Sequence, residues 1–241
     1  MASRRSVLEL LELAVVAIGL DVLVSRYAPV PGGSGFQLGE TVDLPAPETA
    51  GDVSVEEAIT NRRSRREFGE AALSIRELGQ LLWATQGITN QRFGFRSAPS
   101  AGALYPLEVF VAVGDPGVEG LDVGVYRYEP DGHYLSLVAP GEVQAELRAA
   151  AVDQGVVERA AIDVVITAVD ERTTGKYGER GELRYVPMEA GHAGQNLYLQ
   201  AESLGLSTVS IGAFGDARVR ELVGAPEDHR PLYVFPVGKQ A

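Results

Sequence analysis

The chain has no cysteine in its 241 residues. That removes disulfides, thiolate metal sites, iron–sulfur ligation and thiol nucleophiles together. Histidine is nearly as scarce. His133, His192 and His229 stand far apart, with no spacing that would gather them round a metal. Lysine is reduced to Lys176 and Lys239, every other fixed positive side chain being arginine. Under such a bias, a retained lysine marks a place where a compact ammonium with a tunable pKa serves and a planar guanidinium does not. Basic residues are short overall: 21 Lys and Arg stand against 33 Asp and Glu, a formal net charge of -12. A general nucleic-acid binder carries a basic face, so nucleic acid is not expected as a partner.

What is present describes a globular protein. Hydrophobic residues make up 45% and charged residues 22% of the chain, enough for one substantial domain with a real core. The N-terminus, Ser3-Arg4-Arg5-Ser6-Val7-Leu8 followed by the apolar stretch Leu13 to Leu20, has the outline of a twin-arginine export signal. Glu9, Glu12 and Asp21 interrupt it, and it is too short for a membrane anchor. An amphipathic helix with Leu8, Leu11, Val15 and Ile18 on one face is the preferred reading. The expected location is therefore cytoplasmic, with twin-arginine export or membrane association as the alternative. Residues 27–52, rich in Pro and Gly, read as a linker or extended arm, so the division expected is 1–52 for helix and linker and 53–241 for the main domain.

Two capping boxes, Ser54-Val55-Glu56-Glu57 and Ser74-Ile75-Arg76-Glu77, predict helix starts. Strands are predicted over 107–113, 123–128, 134–138, 161–169, 206–211 and 232–237, with Pro130-Asp131-Gly132-His133 as a hairpin turn. Helices are predicted over 143–152, 189–204 and 217–223, with Gly205 closing the second. No Gly-x-Gly-x-x-Gly follows an early strand, which argues against a Rossmann domain. The class expected is α+β, a mixed and mostly antiparallel sheet between helices.

Five segments can carry chemistry. Arg62-Arg63-Ser64-Arg65-Arg66 crowds guanidinium groups that repel one another unless an anion lies among them. It reads as a phosphate and polyol clamp, or as a solvated surface paired with Glu67 and Glu70. Pro99-Ser100-Ala101-Gly102-Ala103-Leu104-Tyr105-Pro106 has small residues that let backbone approach a flat ligand, or is a plain loop. Lys176-Tyr177 is a candidate proton-transfer pair, since an ammonium stabilises a phenolate, or part of a polar loop. Val209-Ser210-Ile211-Gly212-Ala213-Phe214-Gly215 ends a strand and opens a helix, leaving backbone N–H groups for a heterocycle. Lys239, near the end of the chain, either completes a phosphate site or is solvated. His192 is read as a packing or capping residue.

In this order the segments resemble the nitroreductase superfamily of FMN enzymes over roughly residues 53–239. The runs Pro99–Pro106, Lys176-Tyr177-Gly178-Glu179-Arg180 and Ala190-Gly191-His192-Ala193-Gly194-Gln195-Asn196-Leu197 are similar to the SagB-type branch. That branch includes azoline dehydrogenases, which convert thiazolines and oxazolines in peptides to thiazoles and oxazoles. The resemblance implies a three-layer sandwich and a homodimer with FMN at its interface. It implies hydride transfer between a small-molecule or peptide substrate and flavin N5. By position, Arg62, Arg63, Ser64 and Arg66 would hold phosphate and ribityl chain, and Lys239 would reach the phosphate. Pro99, Ser100, Ala101 and Gly102 would line the ring from the other subunit. Ile211 and Gly212 would bond the flavin through their backbone, and Lys176 and Tyr177 would act as the base. Two alternatives stand beside it: an NAD(P)H-dependent nitro- or quinone reductase, in which Lys176-Tyr177 has no acid–base role, and a flavin-binding protein without turnover.

Overall fold

The computed structural model describes residues 40–241, so the expectations for the N-terminal helix and export signal lie outside the described residues. The order is β1 (Thr41–Asp43), α1 (Val55–Asn61), α2 (Ile75–Gln86), β2 (Ile88–Asn90), β3 (Phe95–Arg96), β4 (Leu107–Val113), β5 (Gly124–Glu129) and β6 (Tyr134–Pro140). It continues with α3 (Gln144–Ala150), β7 (Ile162–Val169), α4 (Glu171–Tyr177), a π-helical turn (Gly181–Tyr185), α5 (Val186–Ser203), β8 (Leu206–Thr208), α6 (Asp216–Leu222) and β9 (His229–Lys239).

Seven strands form one sheet in the order β1-β6-β5-β4-β7-β9-β8. Each neighbouring pair in it is antiparallel. β4 and β7 lie at its centre, in register from Leu107 opposite Ala168 to Val113 opposite Ile162. Both are buried along their whole length. Their near-continuous apolar runs follow from that, because both faces of the sheet are covered.

On one face Val109, Val111, Val164, Ile166 and Phe235 meet Leu78, Leu81 and Leu82 of α2 and Ala193, Leu197 and Ala201 of α5. Each such leucine, fully buried, stabilises the fold by about 1.5–3 kcal/mol relative to exposure. The alternate residues of β4 and β7 point to the other face. There α3 and α6 pack on one another and α6 on β9, burying Leu147, Val219 and Val223. The result is the α+β class expected from the pattern, in the three-layer arrangement that the family resemblance implied.

The local signals act as chemistry predicts. At α2 the Ser74 hydroxyl accepts the Glu77 N–H at 3.3 Å while Glu77 Oε2 accepts the Ser74 N–H at 2.8 Å. At α1 the Ser54 hydroxyl accepts the Glu57 N–H at 3.1 Å. The β5–β6 turn uses Gly132 at φ +101°, in the left-handed region that glycine enters without cost.

Three segments depart from expectation. Residues 41–43, read as linker, pair with β6, and the Glu48 N–H bonds Gln80 Oε1 at 2.8 Å, so the folded unit reaches back before residue 53. Residues 88–96 form a small hairpin of β2 and β3. Lys176 and Tyr177, for which a polar loop was one of two readings, lie instead at the end of a helix, α4, whose start is pinned by a two-pronged ion pair from Arg230 to Asp170 at 2.7 and 2.8 Å. Tertiary contacts of this kind override weak local preference.

Candidate active site

The arginine run leaves the end of α1 and divides by role. Arg65 turns inward: it bonds Glu202 of α5, whose side chain is 10% exposed, and its own N–H reaches the Thr208 carbonyl at 2.9 Å. Arg62, which caps α1, lies over the Tyr198 ring at 5.1 Å, a cation–π contact. Arg63 is exposed and donates to the carbonyls of Thr60 and Arg62 at 2.9 and 2.8 Å. Arg66 is exposed, and its guanidinium has no hydrogen bond or ion pair among the described residues. Among the described residues Arg62, Arg63 and Arg66 therefore have no carboxylate partner, and their charge is available to an anion. Arg65 is the one spent on the fold.

Tyr198, which the sequence reading missed, organises this end. Its hydroxyl lies 3.0 Å from the Ser64 hydroxyl and accepts the Ser210 N–H at 2.7 Å. It thereby ties the arginine run to the turn after β8. In that turn Ile211 is not free, which corrects its expected role. Its N–H donates to Val234 O at 2.8 Å, and its carbonyl accepts the Val234 N–H at 3.0 Å. Exposed Gly212 has an N–H with no partner among the described residues.

Lys239 extends from the last strand into an ion pair with Glu77 at 2.5 Å. Burial of Glu77 raises its pKa, but the bonds from Lys239 and Ser74 outweigh that and leave it lowered. The lysine expected to reach a phosphate is thus engaged with the cap of α2.

The second cluster joins two segments 70-odd positions apart. Ala101–Ala103 form a single tight turn in which Gly102 takes φ +67°. A Cβ on Gly102 would stand 2.8 Å from the Tyr177 hydroxyl and 2.9 Å from Lys176 Nζ. Both expected catalytic side chains therefore press against the loop expected to line the ring, within one chain. Lys176 Nζ lies 5.3 Å from the Tyr177 ring centroid, and Tyr185 meets that ring edge-on at 4.9 Å.

Buried groups hold this cluster from behind. Arg172, one turn before Lys176 on α4, pairs with Glu108 at 2.5 Å and donates to the Tyr105 carbonyl at 3.0 Å. Burial of Glu108 raises its pKa, and Arg172 and Arg127 more than reverse this. Ser100 accepts the Tyr105 N–H at 2.9 Å. Glu189, at the start of α5, is 2% exposed, and burial pushes its pKa up to about 7. Glu189 carried a sequence signal that went unused, since it shares a buried helical stripe with Val186, Ala193 and Leu197. His192 is exposed on α5, outside both clusters.

The clusters meet α5 at different heights. Glu189 and Tyr198 are nine residues apart, about 13 Å along the helix axis.

A model of the nitroreductase family matches residues 59–239. The chain belongs to the nitroreductase family. It is 44% identical over 203 residues to MJ1384, a candidate nitroreductase of Methanocaldococcus jannaschii, covering 84% of this chain and 99% of that one. It is 31% identical over 150 residues to the microcin B17-processing protein McbC of Escherichia coli, covering 61% of this chain and 55% of McbC. Among solved structures, a candidate nitroreductase from Ralstonia eutropha superposes with a TM-score of 0.72 at 27% identity, covering 89% of this chain and 96% of that one. A chain of the Escherichia coli microcin synthetase McbBCD complex, with truncated pro-MccB17 bound, gives 0.64 at 25% identity, covering 100% and 98%. Family membership makes this protein an oxidoreductase and implies use of a flavin. Among the described residues no helix is long and apolar enough to cross a membrane.

Proposed function

We propose that the protein is an FMN-dependent dehydrogenase of the SagB-like type, working as a homodimer whose two flavin sites each draw on both chains. The residues present fit the cofactor. Among the described residues three arginines have no carboxylate partner and suit a phosphate, and Gly212 has an unpartnered N–H to offer the ring. Arg62, Arg63, Ser64 and Arg66 hold the phosphate and ribityl end. Pro99, Ser100, Ala101 and Gly102 line the ring from the partner chain. Bound flavin supplies a two-electron acceptor.

The observation that carries the reading is the contact of Gly102 with both Tyr177 and Lys176. A base belongs where the ring-lining loop ends, because aromatising an azoline removes one hydrogen as a proton, which the protein would take, and a second as hydride, which a bound flavin would accept. Tyr177 takes that proton. Lys176 Nζ, 5.3 Å from the Tyr177 ring centroid, stands beside it. The likeness to McbC and to the microcin synthetase chain supports a peptide azoline as substrate class. The domain spans residues 53–241 together with Thr41–Asp43, which pair with β6, and Glu48, which bonds Gln80.

The 44% likeness to MJ1384 favours a second reading, an NAD(P)H-dependent nitro- or quinone reductase. One pair of measurements separates the two. Purified protein should show flavin absorbance and release FMN. Tyr177→Phe should then abolish azoline oxidation yet leave the flavin reducible by dithionite. Rapid NADPH-driven quinone reduction that survives Tyr177→Phe favours the reductase, and colourless protein that takes up no FMN removes both.

A further inference from the structure

The loop that meets Lys176 and Tyr177 is wound against local preference. Gly102, Ala103 and Tyr105 stand at φ +67°, +54° and +46°, in the left-handed region, and only the first of them is a glycine. Residues with a Cβ stay there only where their surroundings hold them. Tyr105 is held at every polar atom it has. Its N–H donates to Ser100 Oγ at 2.9 Å, its carbonyl accepts from Arg172 Nη1 at 3.0 Å, and its hydroxyl accepts the Arg96 N–H at 3.3 Å. The Arg96 guanidinium covers its ring at 4.9 Å.

One of these bonds comes from α4. Arg172 and Lys176 are four positions apart on that helix, so they share a face. Lys176 Nζ would stand 2.9 Å from a Cβ on Gly102, and Arg172 reaches Tyr105, three residues further along the loop. Helix and loop thus meet at two rungs. No bond of its own fixes the first: among the described residues Lys176 has no hydrogen bond or ion pair. The second is anchored in the sheet. Arg172 Nη2 pairs with Glu108 Oε1 at 2.5 Å. Glu108 is 7% exposed on the central strand β4, and its other oxygen lies 3.3 Å from Arg127 Nη2 on β5.

We propose that Arg172 is a positioning residue: its fork, one arm on the Glu108 carboxylate and the other on the Tyr105 carbonyl, fixes α4 against the ring-lining loop and so places Tyr177, with Lys176 beside it, for the proton it takes. This rests on the dehydrogenase reading above. The two acceptors belong to different elements, a strand and a loop. A planar guanidinium with separate donors joins both, and a point charge does not.

The test compares full-length wild type, Arg172→Lys and Glu108→Gln. Lysine keeps a charge opposite Glu108 and loses the fork. Glutamine keeps an acceptor for Arg172 and loses the charge. Hydrogen exchange of each protein as purified, followed by mass spectrometry, reads the clasp without substrate. Residues 97–106 should exchange about fivefold faster in Arg172→Lys, as expected for one lost hydrogen bond, while β7 keeps its wild-type rate. With a synthetic thiazoline peptide, kcat per bound FMN should fall at least about tenfold and KM should change less, since a displacement of about 1 Å is enough for that. Glu108→Gln should lie between wild type and Arg172→Lys in both measurements, which keeps the proposal testable if Arg172→Lys fails to fold. A kcat that survives, a 97–106 segment no looser than in wild type, or loosening spread evenly over the chain overturns the proposal. Wild type that binds FMN but leaves the thiazoline untouched overturns the dehydrogenase reading itself, and this inference with it.

Discussion

Ser64 and Tyr198 meet hydroxyl to hydroxyl at 3.0 Å across 134 positions of the chain. The same Tyr198 oxygen accepts the Ser210 N–H at 2.7 Å, so one phenol fixes the arginine run and the Gly212 turn relative to each other. Tyr198→Phe keeps the ring under Arg62 but leaves the Ser210 N–H without its acceptor. The expected result is a stability loss of about 1–2 kcal/mol in urea unfolding and a roughly tenfold weaker FMN affinity. Unchanged affinity would show that Tyr198 serves the fold alone.

Gly102→Ala should separate catalysis from binding. Its φ of +67° costs an alanine about 1 kcal/mol, and the new methyl would displace the ends of Lys176 and Tyr177. Turnover should fall at least about tenfold, since a displacement of about 1 Å is enough for that. FMN affinity, read by fluorescence titration, should fall less than turnover does. Equal loss of both would limit Gly102 to lining the ring, with no bearing on Lys176 and Tyr177.

Arg65 and Arg66 should answer oppositely to alanine. Arg65→Ala strips the charge partner from Glu202 and should cost about 1–3 kcal/mol of unfolding free energy. Arg66→Ala should leave stability within about 0.5 kcal/mol and weaken FMN binding more than riboflavin binding. Equal effects on the two flavins would remove Arg66 from the phosphate.

Asp163 should give the fold an alkaline penalty. It is fully buried, Gln144 Nε2 bonds one of its oxygens at 2.9 Å, and the other has no partner among the described residues. Burial raises its pKa well above 3.8, and the Gln144 bond only partly offsets this. The folded state thus holds the proton more tightly than the unfolded chain. That stability is complete below about pH 4 and is lost as pH climbs toward the folded pKa. Asp163→Asn should remove the decline, measured as Tm against pH. A wild-type Tm that is level over that range would contradict it.

Much of the fold was legible because its signals are local or periodic. The Ser74–Glu77 box, the apolar runs that became β4 and β7, and Gly205 at the end of α5 all depend on neighbours or on a regular repeat. The segment that became α4 did not read as a helix. What holds it is Arg230 and Glu108, each about 60 positions away, and no window along the sequence contains those partners. The site divides the same way. Residue types marked the arginine run and the Lys176-Tyr177 pair. They did not reveal that Arg65 and Lys239 would be claimed by Glu202 and Glu77, or that Ile211 would give its backbone to Val234. Those depend on which carboxylate or carbonyl the fold brings near.

The gripping end and the proton-handling end of each chain lie about two and a half turns apart on one helix. If every working site borrows one end from each chain, damage at the two ends is complementary. A chain crippled at Arg66, mixed with a chain crippled at Tyr177, would form a pair with one intact site and one doubly broken site. Two dead preparations would then recover activity on being unfolded and refolded together, while either refolded alone would stay silent. Were both ends of a site to come from the same chain, every such pairing would remain inert.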